Sequence, residues 1–251
     1  MTLGYEQAGR GDPPLIFVHG VACHHGFWEP QLSRFALDHR VIAVDLRGHG
    51  ESDAPHQPYT MRAFADDVAW MSRQLEVRRP VVVGHSLGGL VGLELAAAYP
   101  ECLSAVALVD SVLLPSVDRP EVVHELIGGL RGADPARALR SYFETFFSPY
   151  DDPGRKAWIL DEAVKTSPHV TSSIWEESIG WDDAEALRRS RVPLLYVDAG
   201  TPNADLARAN ELRPEMMIGK TVGSGHFSQL EVPDQVNAML ARFIEISVPA
   251  G

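Results

Sequence analysis

A serine between two glycines follows a run of β-branched residues in the stretch VVVGHSLGG, residues 81–89. The β-branched run predicts a strand and the small apolar residues that follow predict a helix, so Ser86 falls at a strand-to-helix turn. Gly84 and Gly88 have no β-carbon, which allows a sharp turn and close approach of neighbouring segments. The pattern predicts a hydroxyl exposed at the carboxyl end of a strand, beside helix N-terminal amides that favour negative charge.

Use of this hydroxyl as a nucleophile requires a base, because a serine hydroxyl reacts poorly until its proton is removed. His226 is the candidate base. It lies in the glycine-rich stretch TVGSGHFSQLE, after an expected last strand at 217–222 and before a final helix that begins near Val232. We expect His85 to fill the turn beside the serine. Three further histidines are interpreted as structural: His19, His49 and His56.

Acyl chemistry at Ser86 also requires fixed donors for the negative charge that develops on a carbonyl oxygen. The backbone amide of Leu87, directly after the serine, is one candidate. The second is the amide of Val21 in the stretch FVHGVACHHGFW, where His19 and Gly20 would set the loop. The sequence therefore predicts an oxyanion hole of two main-chain N–H groups.

The elements that position these residues alternate along the chain. Apolar residues recur with helical spacing over 61–75, and the segment 87–99 is small and apolar nearly throughout. Alternating strands and helices over this length predict an α/β fold with a doubly wound sheet. Short apolar runs without alternation, typical of strands buried on both faces, begin at Leu15, Arg40, Pro80, Ser104 and Val192.

The segment 115–191 is helix-like and carries no convincing strand. We interpret it as a helical cap inserted into a core domain that comprises residues 1–114 and 192–251. Its aromatic side chains either form the small core of the insertion or together form an apolar roof over the site. These aromatic residues are Phe143, Phe146, Phe147, Trp158, Trp175 and Trp181.

Composition and charge disfavour several classes of partner. The formal net charge is -12, from 34 acidic and 22 basic residues, which disfavours nucleic acid. No stretch approaches about 18 consecutive apolar residues, and the N-terminus lacks a basic segment followed by an apolar one. Cys23 and Cys102 match no metal or redox spacing. We expect a cytoplasmic protein without nucleic-acid or membrane partners, and a homodimer stays an open alternative.

Four segments in family order resemble the α/β-hydrolase fold family, and the likeness covers nearly the whole chain. The resemblance implies a mostly parallel eight-stranded sheet with the helical cap inserted after the sixth strand. It also implies a structural turn in which Asp45 and Arg47 tie loops together, without a catalytic role for Asp45. The four segments are HGV at 19–21, DLRGHGESD at 45–53, GHSLGG at 84–89 and GSGHF at 223–227.

Two carboxylates are candidates for the acid that would orient His226. Family members usually carry Gly-x-x-Asp after the seventh strand, whereas this chain has Asn203 at that place and Asp205 two residues further. A resemblance to haloalkane dehalogenases, which place their acid after the sixth strand, points to Asp110, five residues before Pro115. We favour Asp110 and keep Asp205 as the alternative.

Serine at the turn excludes the alkyl-enzyme mechanism of dehalogenases and epoxide hydrolases, which uses aspartate there. The resemblance implies a serine hydrolase that cleaves a small-molecule carboxylic ester or lactone with an apolar or aryl acyl group, through an acyl-enzyme on Ser86. Relatives on the same scaffold keep other activities open. These are cofactorless dioxygenation, perhydrolysis, carbon–carbon bond hydrolysis and ligand reception without catalysis.

Pocket walls are expected beside the oxyanion loop and in the cap. The expected substrate-binding residues are His24, Phe27, Trp28, Phe143, Phe147, Trp158 and Trp181. The adjacent pair His24 and His25 has no third ligand at a recognisable spacing, so no metal is expected. The stretch IGKT at 218–221 lacks the earlier glycine of a phosphate-binding loop, because residue 214 is proline, and no cofactor is expected.

Overall fold

One seven-stranded sheet forms the centre of the molecule, in a computed structural model that describes residues 1–115, 120–201 and 203–248. The strand order across the sheet is β1-β3-β2-β4-β5-β6-β7. Strand β1 runs antiparallel to β3, and all other neighbouring pairs are parallel. The strands are β1 (Tyr5–Ala8), β2 (Leu15–Val18), β3 (Val41–Val44), β4 (Val81–His85), β5 (Ala105–Val109), β6 (Leu194–Asp198) and β7 (Met217–Lys220).

Helices cover both faces of the sheet, so the predicted doubly wound α/β fold is confirmed. In the described residues the α-helices are α1 (Glu29–Phe35), α2 (Met61–Gln74), α3 (Leu87–Ala98), α4 (Pro120–Leu130), α5 (Pro135–Glu144), α6 (Pro153–Ala163), α7 (Pro168–Ile179), α8 (Asp183–Arg189), α9 (Leu206–Leu212), α10 (Ser228–Glu231) and α11 (Pro233–Ser247). Helices α1 and α11 pack on one face, and α2 and α3 pack on the other.

The strands are buried on both faces because successive side chains point to opposite sides of a sheet. In β4, Val82 joins the core beneath α2 and α3, whereas Val81 and Val83 join the core beneath α1 and α11. All five residues of β4 and all five of β5 are buried. This explains why the central strands read as continuous apolar runs in the sequence.

The expected count of eight strands is wrong, since the described residues contain seven. Consequently the helical insertion follows the fifth strand of this sheet, β5, and not a sixth. Strand β1 itself is absent from the sequence-based set of strands. It lies at an edge, pairs only with β3 and exposes Tyr5, Glu6 and Gln7, so it has no apolar run to reveal it.

In the described residues of the insertion between β5 and β6, helices joined by loops are present and no strand is, as predicted. Helices α4 to α7 follow one another, and α4 packs against both α5 and α7. Helix α8 lies within the expected cap, which ends at residue 191, but it packs against α3 of the core domain. The domain bounds at 114/115 and 191/192 stay a prediction. Outside the described part of the chain lie residues 116–119 of the expected cap and residues 202 and 249–251 of the expected core.

The topology defines where a site can form. Chain connections leave the adjacent strands β2 and β4 in opposite directions, because β2 leads to β3 on one side and β4 leads to β5 on the other. In such open sheets the carboxyl ends of these two strands form a crevice. The loop after Val18 and the turn at Ser86 therefore meet at one edge of the sheet.

Candidate active site

The turn at Ser86 is strained and closely packed. Ser86 has a φ of 51°, in a region that non-glycine residues rarely adopt, at a cost of about 1–3 kcal/mol. A β-carbon on Gly84 would lie 2.1 Å from the carbonyl carbon of Gly88, and one on Gly88 would lie 2.1 Å from the carbonyl oxygen of Val18. Both glycines are therefore required by the contact of α3 with β2 and β4.

The two main-chain amides expected to form the oxyanion hole belong to Leu87 and Val21. Leu87 begins α3, and neither its N–H nor that of Val21 donates to another group in the described residues. The loop carrying Val21 is closed by a hydrogen bond of 3.3 Å from the Cys23 amide to the Gly20 carbonyl oxygen. Val21 and Ser86 line the same cavity. The geometry is compatible with the expected oxyanion hole.

His19 connects this loop to the loop after β3. Its Nδ1 donates to the Gly20 carbonyl oxygen at 2.7 Å and its Nε2 accepts from the Leu46 amide at 3.0 Å, an arrangement that requires a neutral ring. The ring of His49 lies 5.0 Å away. Burial, together with the neighbouring His49, lowers the pKa of His19 to about 3. Burial lowers the pKa of His49 to about 4.

The carboxylate of Asp45 connects the loop after β2 with the loop after β3. Its buried carboxylate accepts from the amides of His25, at 2.6 Å, and Glu51, at 2.9 Å. Burial favours a higher pKa, but the hydrogen bonds that the carboxylate accepts from Glu51 and His25 outweigh it, so the pKa of Asp45 lies below its usual value. Arg47 pairs with Asp67 on α2. These contacts connect loops and leave Asp45 outside the cavity at Ser86.

A buried hydrogen bond joins the candidate base to one of the two candidate acids. His226 Nδ1 lies 2.7 Å from Asp110 Oδ2, and the side chains of both residues are at most 4% exposed. His226 follows β7 and Asp110 follows β5, so both side chains emerge at the carboxyl edge of the sheet. The ring therefore has one nitrogen fixed by a carboxylate, as a base beside a serine requires.

The loop after β6 holds the Asp110 carboxylate with three donors. Thr201 Oγ1 lies 2.9 and 2.8 Å from its two oxygens, Asn203 Nδ2 donates to Oδ2 at 2.9 Å, and the Ala199 amide donates to Oδ1 at 3.2 Å. Asn203 Nδ2 also lies 3.3 Å from His226 Nδ1. Because Nδ1 carries its proton toward Asp110, this amide serves the carboxylate and not the ring.

Asp205, the alternative acid, lies elsewhere. It caps the N-terminus of α9, where its Oδ1 accepts from the Arg208 amide at 3.0 Å. Its own amide donates to the Leu113 carbonyl oxygen. The structure therefore brings Asp110 to His226 and leaves Asp205 in a capping role.

The cavity over Ser86 is small and aromatic. Its volume is about 10 Å³, which is room for about one water molecule. A wider cleft of about 440 Å³ between α4 and α7 is lined by neither Ser86 nor His226. The residues that line the small cavity are Gly20, Val21, Cys23, His85, Ser86, Phe143, Phe146, His226 and Phe227.

Several of these lining residues are absent from the sequence-based site, notably Phe146 and Phe227. The ring of Phe146 lies 4.7 Å from that of His226, and Phe227 stacks on Phe147 at 5.6 Å. Phe227 follows the base directly, and this adjacency is its only sequence signal. Phe146 is one of the cap aromatic residues for which an apolar roof was the alternative expectation. His85 Nε2 donates to the His226 carbonyl oxygen at 3.0 Å, and His85 also lines the cavity.

The remaining predicted pocket residues are distributed around and beyond this cavity. The ring centroid of Phe27 lies 4.7 Å from that of Trp158 and 6.1 Å from that of Phe227. Phe27 therefore packs behind the residues that line the cavity. Trp158 is partly exposed and lies beside His24. His24 Nε2 lies 3.6 Å from Glu162 Oε2. Burial lowers the pKa of His24.

Two of the predicted pocket tryptophans lie away from the cavity. Trp28 is fully buried under the opposite face of the sheet, where it packs on Phe17, so its prediction as a pocket wall is wrong. Residues 25–28 form a turn of 3₁₀-helix, which directs Phe27 and Trp28 to different sides. Trp181 donates to Glu94 on α3 at 3.0 Å and does not line the cavity.

In the described ranges, no group of three or more His, Cys, Asp or Glu side chains is arranged to hold a metal ion. Across the same described residues, no helix combines the length and apolarity that crossing a bilayer requires.

Comparison with known proteins identifies the family. The profile of the alpha/beta hydrolase fold family matches residues 13–153, more than half of the chain. The chain belongs to the α/β-hydrolase fold family. This finding confirms the fold that the four sequence segments imply.

Individual relatives align over nearly the full length. The sequence is 27% identical to 2-(acetamidomethylene)succinate hydrolase of Mesorhizobium japonicum, over 98% of this chain and 92% of that one. The enol-lactonase of Burkholderia xenovorans is similar in structure, with a TM-score of 0.86, 26% identity and coverage of 96% of each chain. A structure of E-2-(acetamidomethylene)succinate hydrolase has a TM-score of 0.79 at 25% identity and covers 97% of this chain and 95% of that one. These similarities support hydrolase activity on this scaffold.

The neutral pair of His19 and His49 predicts a loss of stability in acid. Their folded pKa values lie below the usual value of 6.5, so the unfolded chain binds more protons and the free energy of unfolding falls as pH decreases from about 6.5 toward about 4. Each ring contributes up to about 1.4 kcal/mol per pH unit. In urea unfolding between about pH 7 and about pH 5, His49→Asn should show a shallower pH dependence than the wild type.

His124, which is exposed on α4, provides the control. His124→Asn should keep the pH dependence of the wild type. If His49→Asn and the wild type lose stability in parallel, the buried neutral state of His49 is wrong.

Proposed function

We propose that this protein is a serine hydrolase that cleaves a carboxylic ester or lactone through an acyl-enzyme on Ser86. The observation that carries the proposal is the buried hydrogen bond of 2.7 Å between His226 and Asp110, beside a cavity that His226 shares with Ser86. A carboxylate-bound imidazole next to a serine on a strained turn is the arrangement that activates a hydroxyl.

The first half-reaction forms the acyl-enzyme. Ser86 Oγ attacks the substrate carbonyl carbon while His226 Nε2 accepts the hydroxyl proton, and Asp110 stabilises the imidazolium that results. The carbonyl oxygen becomes an oxyanion, to which the amides of Val21 and Leu87 donate. Each such donor typically contributes about 3 kcal/mol to lowering the barrier. The tetrahedral intermediate collapses when the imidazolium returns the proton to the departing alkoxide.

The second half-reaction uses the same groups in reverse. His226 Nε2 takes a proton from water, the resulting hydroxide attacks the acyl carbon, and the oxyanion forms again between the two amides. Collapse releases Ser86 Oγ, which regains its proton from His226. The products are a carboxylic acid and an alcohol, or a hydroxy acid from a lactone.

The residues that line the cavity favour a substrate with an uncharged, apolar or aryl acyl group. Among the described residues that line it, none is a lysine or an arginine, and the cap contributes Phe143 and Phe146. A buried carboxylate without a cation would be strongly disfavoured there. The relative from Mesorhizobium japonicum acts, by its name, on a substituted succinate. The described residues around Ser86 offer no cation for such an acid, so we infer a neutral acyl group.

Substitution of the nucleophile tests the proposal directly. Ser86→Ala should lower kcat/KM for phenyl acetate by at least about 10⁴-fold, because no acyl-enzyme can form. A fluorophosphonate should add to Ser86 of the wild type, as mapped by mass spectrometry. It should not label the Ser86→Ala variant. Circular dichroism should show an unchanged fold. Undiminished turnover by Ser86→Ala would contradict the mechanism.

A paired substitution tests the acid. Asp110→Asn should lower kcat by about 10³- to 10⁴-fold, because a neutral amide does not stabilise the imidazolium. Asp205→Asn should change kcat by less than about 3-fold, because asparagine also caps helices well. Kinetics of both variants with phenyl acetate provide the measurement. Collapse of the rate in Asp205→Asn alone would reverse the assignment.

A further inference from the structure

The segment between α5 and α6 of the cap binds the loop that carries His226. The amide of His226 donates to the Phe146 carbonyl oxygen at 2.9 Å. The preceding amide, of Gly225, donates to Asp151 Oδ1 at 2.9 Å. Two successive amides of the His226 loop are therefore held by the cap and not by the core domain.

Asp151 is a buried carboxylate committed to this contact. The residue is 9% exposed. Besides the Gly225 amide it accepts from Ser148 Oγ at 2.9 Å and from the Ser148 amide at 2.8 Å. Hydrogen bonds to an ionised acceptor are stronger than those between neutral groups. Asp151 thus closes the cap turn on itself and fixes the adjacent loop through one further bond.

The approach of the two segments leaves no room for a side chain at residue 225. A β-carbon on Gly225 would lie 2.5 Å from Asp151 Oδ2 and 2.6 Å from the Phe146 carbonyl oxygen. Glycines at 223 and 225 make the loop before His226 conformationally free in isolation. External hydrogen bonds are therefore needed to give the imidazole a single position.

A second attachment lies on the other side of His226. Glu231, at the end of α10, accepts from the Asp152 amide at 3.0 Å and from Arg155 Nη1 at 3.1 Å through the same oxygen, Oε2. The cap segment is consequently bound both before and after the base. Displacement of this segment would move the loop that carries His226.

We propose that Asp151 is a positioning residue for the general base, so that the cap holds the imidazole in register with Ser86. The inference rests on the proposed role of His226. A segment that only admitted substrate would affect KM, whereas a segment that positions the base affects kcat. Displacement of a catalytic group by about 1 Å can cost about 100-fold in rate.

The test compares Asp151→Ala, Asp151→Asn and Ser148→Ala with Asp152→Ala. Asp152 is the matched control, because its carboxylate caps α6 through the Arg155 amide at 2.7 Å and does not contact the His226 loop. With phenyl acetate, Asp151→Ala should lower kcat by about 100-fold and change KM by less than about 3-fold. Asp151→Asn, which keeps an acceptor oxygen for Gly225, should recover part of kcat.

Ser148→Ala keeps the Asp151 carboxylate and should have a smaller effect on kcat than Asp151→Ala. Asp152→Ala should lower the melting temperature but retain kcat. Equal kcat in Asp151→Ala and the wild type, an effect confined to KM, or equal losses of kcat in Asp151→Ala and Asp152→Ala would overturn the inference. Ser86→Ala measured alongside separates the two hypotheses, since retained activity there would refute the proposed function itself.

Discussion

The hydrogen bond between His226 and Asp110 joins residues that are 116 positions apart in the chain. It forms only because β5 and the loop after β7 end at the same edge of the sheet, with β6 between β5 and β7. Parallel order places successive carboxyl ends on one side, where connecting loops converge. Ser86, on the strained turn, and Val21 line the same cavity at this edge. The proposed chemistry therefore depends on the strand order more than on any single motif.

The loop after β6 has a different role here from the one the family pattern suggests. It supplies donors, from Thr201 and Asn203, to a carboxylate that comes from the neighbouring strand. Three donors compensate for the burial of Asp110, which has no exposed surface. The loop after β6 thus provides hydrogen-bond donors, and the loop after β5 provides the carboxylate of Asp110. Asp205 caps a helix instead.

Much of the core could be predicted because its signals are local. The apolar strands, the glycines around Ser86 and the glycine-rich loop of His226 have sequence patterns set by burial and backbone geometry. Strand β1 lacked such a signal because an exposed edge strand has no apolar run. The choice between Asp110 and Asp205 depends on loop shape, which no spacing rule specifies.

The cap was less predictable in detail. Its helical character was predicted from helix-like segments without a convincing strand, but which aromatic residues reach the cavity depends on how the helices pack on the core. Phe143 lines the cavity, whereas Trp181 bonds to Glu94 on α3. The contact of Asp151 with the Gly225 amide has no sequence motif, since it joins two loops that are 74 residues apart.

Nuclear magnetic resonance of the chain labelled with ¹⁵N-histidine can detect the proton between His226 and Asp110. We expect a protected proton on His226 Nδ1, assigned by its absence from His226→Gln. That signal should persist in Ser86→Ala and Asp205→Asn, and it should be lost or strongly shifted in Asp110→Asn. An Nδ1 signal that is unchanged in Asp110→Asn, or that disappears in Asp205→Asn, would contradict the pairing on which the proposed mechanism rests.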